Sequence, residues 1–193
     1  MAMNWDDYAA EWERNPATVN FATKAFDSLT AIVDLSGKHV LDFGCGTGQL
    51  CQKMSPLAKD IVALDGSEAM IEQLDQKELS NVEPVVDMLT RGLVAIHPAF
   101  RGQFDVVTAS SVCGFLTNYA DIADIVYSLL DEGGYFIQWD WLSDSPNDIE
   151  GISVQRAKQV LSSVGFEQVT VTTPFSIDTE LGTQQVVMCV AQK

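Results

Sequence analysis

The sequence predicts a single α/β domain: a Rossmann-like, mostly parallel seven-stranded sheet with helices on both faces, an antiparallel last strand and a short N-terminal helical cap. Three observations predict it. Apolar strand-like runs alternate with helical segments through the middle of the chain, the pattern of a sheet covered on both faces. A glycine-rich run, Gly44-Cys45-Gly46-Thr47-Gly48, follows the first of those strands directly. The chain has 193 residues, 47% of them apolar, which suits one core and is too few for two. The expected division within this one domain, 1–193, is a helical cap over 1–35 and a core over 36–193.

Residues 4–33 read as helical. Trp5, Tyr8, Ala9 and Trp12 fall on one stripe, Pro16 suits a first helical turn, and Phe21, Ala25, Phe26 and Leu29 share a face. Val40 to Phe43 is the first strand and Ile61 to Leu64 the second. Ser67 caps a helix running to about Gln76. Val82 to Val86 is a third strand, with Pro84 pointing to a sheet edge. Phe104 to Ala109 is the fourth strand, and a helix from about Tyr119 to Leu130 follows. Gly133-Gly134 then turns the chain into a fifth strand, Tyr135 to Trp139. A polar loop spans Ser143 to Asp148, a helix lies near Ser153 to Ser163, and Gly165 ends it. Glu167 to Thr173 and Gln185 to Val190 close the chain, spaced for a hairpin.

Charge narrows the function classes. Eleven Lys and Arg against 27 Asp and Glu leave a formal charge of −16. Such a field repels phosphate backbones and anionic membranes, so neither nucleic acid nor membrane is an expected partner. The N-terminus lacks the basic and apolar regions of a signal peptide, and no segment approaches a membrane span. A cytoplasmic protein, monomeric or homodimeric, is expected. Cys45, Cys51, Cys113 and Cys189 form no CxxC pair and only two histidines occur, so no metal site is expected.

In a sheet of this type ligands settle beyond the carboxyl ends of the strands, where the strand order reverses. The glycine run lies there. Its glycines admit positive φ and let a ligand approach the backbone, and the next helix offers free N–H groups. The second strand ends in Asp65, seventeen residues beyond Gly48, where a carboxylate can accept hydrogen bonds from both ribose hydroxyls. That geometry serves any adenosine cofactor and leaves NAD open, although the third glycine comes one residue too early for G-x-G-x-x-G.

Val40-Leu41-Asp42-Phe43-Gly44-Cys45-Gly46-Thr47-Gly48 resembles the first motif of the class I S-adenosylmethionine (SAM) dependent methyltransferases. Val62 to Ser67, Phe104 to Val107 and Leu129 to Gly134 are similar to the later motifs, in family order, over roughly residues 38–141. The resemblance implies SAM as cofactor and S-adenosylhomocysteine (SAH) as product. It implies that Gly44, Cys45 and Gly46 run beside the methionine part and that Asp42 orients the loop and the amino group. Asp65 takes the ribose hydroxyls, beside Gly66 and Ser67. Asp87 faces the adenine amine and Met88 the ring. Ser110, with Ser111, borders the sulfonium. Tyr8 and Trp12 belong to the N-terminal helices that in the family often close over the cofactor.

The acceptor side is less defined. Methyl transfer is an in-line displacement helped largely by alignment, and no strong base stands out. The Asn/Asp-Pro-Pro-Tyr/Phe motif of nucleic-acid amine methyltransferases is missing: that position reads Ala109 to Phe115. Trp139 and Asp140, at the carboxyl end of the fifth strand, are the expected acceptor wall and candidate catalytic residues, with Leu142 to Glu150 as a lid. Aromatics with few cations suit a small neutral or cationic acceptor. The expectation is methyl transfer from SAM to a small molecule. The alternatives are a protein methyltransferase and a SAM-binding regulator without catalysis.

Overall fold

The computed structural model describes residues 4–143 and 151–193. Seven strands form one sheet: β1 (His39–Phe43), β2 (Asp60–Asp65), β3 (Val82–Val86), β4 (Phe104–Ser110), β5 (Leu130–Trp141), β6 (Gln168–Thr179) and β7 (Gly182–Gln192). Their order is β3-β2-β1-β4-β5-β7-β6. Pairings from β3 to β5 are parallel, and β7 runs antiparallel to both β5 and β6. Chain order reverses between β1 and β4, so the switch point opens above the carboxyl ends of those two strands. The β3 edge carries Pro84, which cannot donate to a further strand.

Helices cover both faces, and the two-residue period of the strands decides which side chain meets which layer. Val40, Ile61, Ala63, Val106, Ile137 and Trp139 meet α1 (Pro16–Thr30), α2 (Gln49–Met54) and α3 (Glu68–Asp75). Leu41, Val62, Leu64, Val107 and Phe136 meet α4 (Arg91–Ile96), α5 (Tyr119–Leu129) and α6 (Val154–Val164). Side chains on α1 show why that helix docks: Phe21, Ala25 and Leu29 are buried at helical spacing, and Asn15 caps the first turn by accepting from Ala17 N. Each large apolar side chain so buried is worth about 1.5–3 kcal/mol. On α6, Ser153 caps the start and Gly165, at φ +119°, ends it.

Several local expectations are corrected. Residues 4–15 hold two short 3₁₀ turns, Trp5–Tyr8 and Trp12–Arg14, rather than a first helix ahead of the one that begins at Pro16. A segment of that length does not sustain an α-helix alone, and it takes its shape from the loops it lies on. The connection from β3 to β4 holds the short α4 and a Pro98–Phe100 turn, neither evident from periodicity. Strand β5 begins at Leu130, not Tyr135: Phe104 pairs with Leu130 and Val106 with Tyr135, so the intervening residues of β5 form an irregularity. Both final strands are longer than their apolar cores. Most of the polar loop, 144–150, lies outside the described residues, and with it the greater part of the segment expected to act as a lid.

Candidate active site

The first strand stops where its glycines begin. Gly44, Gly46 and Gly48 have φ of +66°, +54° and +77°, so the backbone coils tightly before α2 starts. Gly44 N and Cys45 N both donate to Leu64 O, at 2.7 and 3.1 Å, binding the loop to β2. Neighbours press on two of these positions: a Cβ on Gly44 would lie 2.3 Å from Val112 Cγ2, and one on Gly48 2.3 Å from Leu74 Cδ1. At Gly46 the nearest atoms would be Trp12 Nε1 at 3.9 Å and Met70 Sδ at 4.0 Å, so space is open there and Trp12 borders it.

Asp65 closes the loop from the β2 side. Its carboxylate accepts from Gly46 N at 2.8 Å and from Ser67 N at 2.9 Å. Burial pushes its pKa up, against those donated hydrogen bonds. A carboxylate has about four acceptor positions, so two remain for hydroxyls. Ser67 is buried and caps α3, accepting from Met70 N. Gly66 is exposed and Met88 lies over it: a Cβ on Gly66 would meet Met88 Sδ at 2.6 Å. Met88 is 61% exposed, a large apolar side chain left on the surface at the edge of the site. Asp87 N donates to Asp65 O at 3.0 Å, while Asp87 Oδ1 accepts from Met88 N at 2.7 Å.

The N-terminal segment lies over this loop. Glu13 Oε1 accepts from Thr47 Oγ1 at 2.6 Å and from Lys77 Nζ. Asp6 accepts from Ser67 Oγ. Trp5 packs edge-on to Trp12 and to Phe115, with centroids 5.9 and 5.3 Å apart. Phe115 belongs to the turn after β4, so the cap bridges that turn and the glycine loop. Ser110 ends β4 opposite Trp139, and Ser111 adopts a left-handed φ of +60° that turns Val112 onto Gly44.

The remaining sequence-derived candidates lie beneath the surface. Asp42 is 1% exposed and takes hydrogen bonds from Thr108 Oγ1 at 2.7 Å and Cys51 Sγ at 2.9 Å. It joins β1, β4 and α2 under the loop, and burial raises its pKa to about 6. Trp139 and Asp140 are adjacent in an extended strand and so point to opposite faces. Trp139 is fully buried among residues of the α1 layer, its Nε1 donating to Ser28 Oγ at 2.9 Å. Asp140 is 1% exposed on the other face and accepts from Gly114 N at 2.7 Å. The expectation that these two side chains form one open wall is therefore corrected. Trp141 points the way of Trp139, against Phe21.

Sequence reasoning did not single out Glu13, Asp6, Val112 or Gln49. Polar residues in a cap carry no periodic signal, and their partners are far away in sequence. Gln49 opens α2, and its Nε2 is buried with no hydrogen-bond partner among the described residues, a donor to which a ligand carboxylate is suited. His39 is at the amino end of β1 beside Asp60, and His97 caps the Pro98–Phe100 turn. A groove of about 460 Å³ lined by His39, Asp60, Asn81 and Glu83 is also at the amino ends, away from the glycine loop. No cluster of three or more His, Cys, Asp or Glu able to hold a metal occurs among the described residues.

These residues fit an adenosyl ligand: an open glycine at position 46, a half-buried carboxylate at the end of β2, an exposed methionine over Gly66. Comparison with known proteins agrees. The chain is 31% identical over 136 residues to the ubiquinone biosynthesis O-methyltransferase of Psychrobacter cryohalolentis, covering 66% of this chain and 53% of that one. It is 32% identical over 140 residues to the enzyme of the same name from Azotobacter vinelandii, covering 69% and 56%. The chain thus spans about half the length of these relatives. Among solved structures, DhpI in complex with SAM and HEP superposes with a TM-score of 0.77 at 20% identity, over 98% of this chain and 94% of that one. Magnesium protoporphyrin IX methyltransferase from Synechocystis with bound SAM gives a TM-score of 0.68 at 19% identity, over 90% and 79%. Residues 16–171 match the family model of a methyltransferase domain, and the chain belongs to that family as a class I SAM-dependent methyltransferase domain.

Proposed function

We propose that this domain transfers a methyl group from SAM to a small-molecule acceptor. One observation carries the reading: Asp65 holds the left-handed Gly46 from below by its N–H, leaving carboxylate acceptor positions at the mouth of an open backbone loop. In this arrangement Asp65 orients the ribose, Gly66 and Met88 border the adenine, and Gly44 to Gly46 run along the methionine part. SAM, when bound, supplies an electrophilic methyl on a cationic sulfonium. The chain's own work is to bind, align and exclude water.

The acceptor enters between the cap and the turn after β4, where Trp5, Trp12 and Phe115 meet. Among the described residues the connections between strands carry only single short helices and turns and no inserted domain, which favours a small acceptor over a protein. Aromatic rings flanked by Asp6, Asp7, Glu11 and Glu13 suit a neutral or cationic molecule better than an anion. The relatives named above are O-methyltransferases, so hydroxyl-bearing acceptors belong in the first panel beside amines.

Calorimetric titration of the purified protein with SAM and SAH, with Asp65→Ala as control, tests the cofactor. Binding in the micromolar range that collapses in the variant is the expected result. Absence of heat with both ligands overturns the reading. SAH release over an acceptor panel then separates an enzyme from a SAM-binding regulator.

A further inference from the structure

The turn after β4, Ser111 to Phe115, is held in a costly shape. Ser111 sits in the left-handed region, at φ +60°, which a serine adopts only when its surroundings hold it there. Its N–H donates to Trp139 O at 2.6 Å. Val112 bears on Gly44, and Phe115 bears on Trp5 of the cap. This one turn therefore touches both the cofactor loop and the cap.

Asp140 is what the turn is built around. Its carboxylate accepts from Gly114 N at 2.7 Å, and the backbone N–H groups of Val112 and Cys113 in the same turn favour its charged form. Three successive backbone N–H groups make a nest for an anion. The other side of the carboxylate accepts from Gln138 Nε2 at 3.0 Å, and Gln138 Oε1 accepts from Tyr119 Oη at 2.8 Å. Gly114 packs on the Gly151 backbone, where a Cβ would come within 3.1 Å, so the turn has no room to drift outwards. The carboxylate is 1% exposed, so it acts on the turn from beneath and not on a ligand surface.

We infer that Asp140 is a positioning residue for this site: its carboxylate sets the turn that seats Val112 on the glycine loop and Phe115 under the cap. This rests on the proposed SAM-dependent function. A protonated Asp140 offers fewer acceptor positions to the nest. Its proton must also find an acceptor where Gln138 now presents a donor, and turning that amide breaks the match to Tyr119. The charged form is therefore the one that holds the turn. Burial pushes its pKa to about 7, against the donated hydrogen bonds. The ionisable groups facing it are Cys113 in the turn, Cys189 on β7 and Tyr119 on α5, each held neutral near pH 7 by burial, with the Arg156 cation of α6 beyond Cys113.

The test is SAH titration between pH 6 and pH 8 for wild type, Asp140→Asn and Tyr119→Phe, each checked for folding by circular dichroism. Wild-type affinity is expected to rise about tenfold across that window. Asp140→Asn is expected to bind weakly at both ends, with no such rise. Tyr119→Phe, which frees the Gln138 amide, moves the midpoint to higher pH. A folded Asp140→Asn protein with wild-type affinity, or with the same pH profile, overturns the assignment. If that variant does not fold, a flat wild-type profile, or an unmoved midpoint in Tyr119→Phe, overturns it instead. Wild type that binds no SAH at any pH defeats the proposed function itself, a distinct result.

Discussion

Glu13 Oε1 accepts a hydrogen bond from Thr47 Oγ1 at 2.6 Å, tying a 3₁₀ turn of the cap to the middle of the glycine loop. Thr47 is 1% exposed and Glu13 is solvated on its outer side, so the contact lies on the boundary between loop and solvent. Hydrogen bonds to charged groups are worth about 1.5–3 kcal/mol, and the competing Lys77 partner places this one at the low end.

Thr47→Val removes the hydroxyl and keeps the volume. The cap should loosen, with faster proteolysis between residues 4 and 15 and SAH binding weakened about three- to tenfold. Melting temperature should change little, because the core is untouched. Limited proteolysis and calorimetry together read the outcome. Unchanged proteolysis would show that the aromatic contacts and the Asp6–Ser67 and Glu13–Lys77 pairs hold the cap without this hydrogen bond.

Asp65→Ala should lose SAH affinity by a hundredfold or more. It removes a ribose partner and also leaves Gly46 N and Ser67 N without their acceptor. Asp65→Asn should fall between wild type and alanine, since one oxygen remains to accept. Equal affinity in all three proteins would remove Asp65 from the site.

Gly44→Ala and Gly48→Ala each place a methyl group 2.3 Å from a neighbour, at a backbone angle disfavoured for alanine. Overpacking and strain together predict a loss of about 2–4 kcal/mol. Gly37 has φ +71° but nothing within 4 Å, so Gly37→Ala should cost only about 1 kcal/mol. Urea unfolding of the three variants separates crowding from backbone strain.

Stability should fall as pH rises. Burial raises the pKa of Asp42 to about 6 and that of Asp140 to about 7. The folded protein thus keeps protons that the unfolded chain has released above about pH 4. This contribution is complete below about pH 4 and is lost as pH climbs through about 6 and 7. The two groups are worth on the order of 3–4 kcal/mol each. Melting temperature should drop by several degrees from pH 5 to pH 8, and Asp42→Asn should flatten the lower part of that fall. A wild-type protein that gains stability over this range would falsify the prediction.

The sequence by itself determined the sheet and where its ligand loop falls. Those features are local: an apolar run ending in alternate glycines needs no distant partner to be read, and Asp65 is announced by its place at the end of the next strand. Ser67 and Gly165 mark helix boundaries by the same short-range chemistry. Only the tertiary structure decided what faces what beyond the β5 end. Trp139 and Asp140 are neighbours in sequence, yet a strand sends them to opposite sides, and which side holds the site depends on how the helices pack. The pairings of Glu13 with Thr47 and of Asp140 with Gly114 span 34 and 26 residues. Contacts over such distances leave no periodic trace in the chain, because they come from layers brought together by burial rather than from the residues' own local preferences.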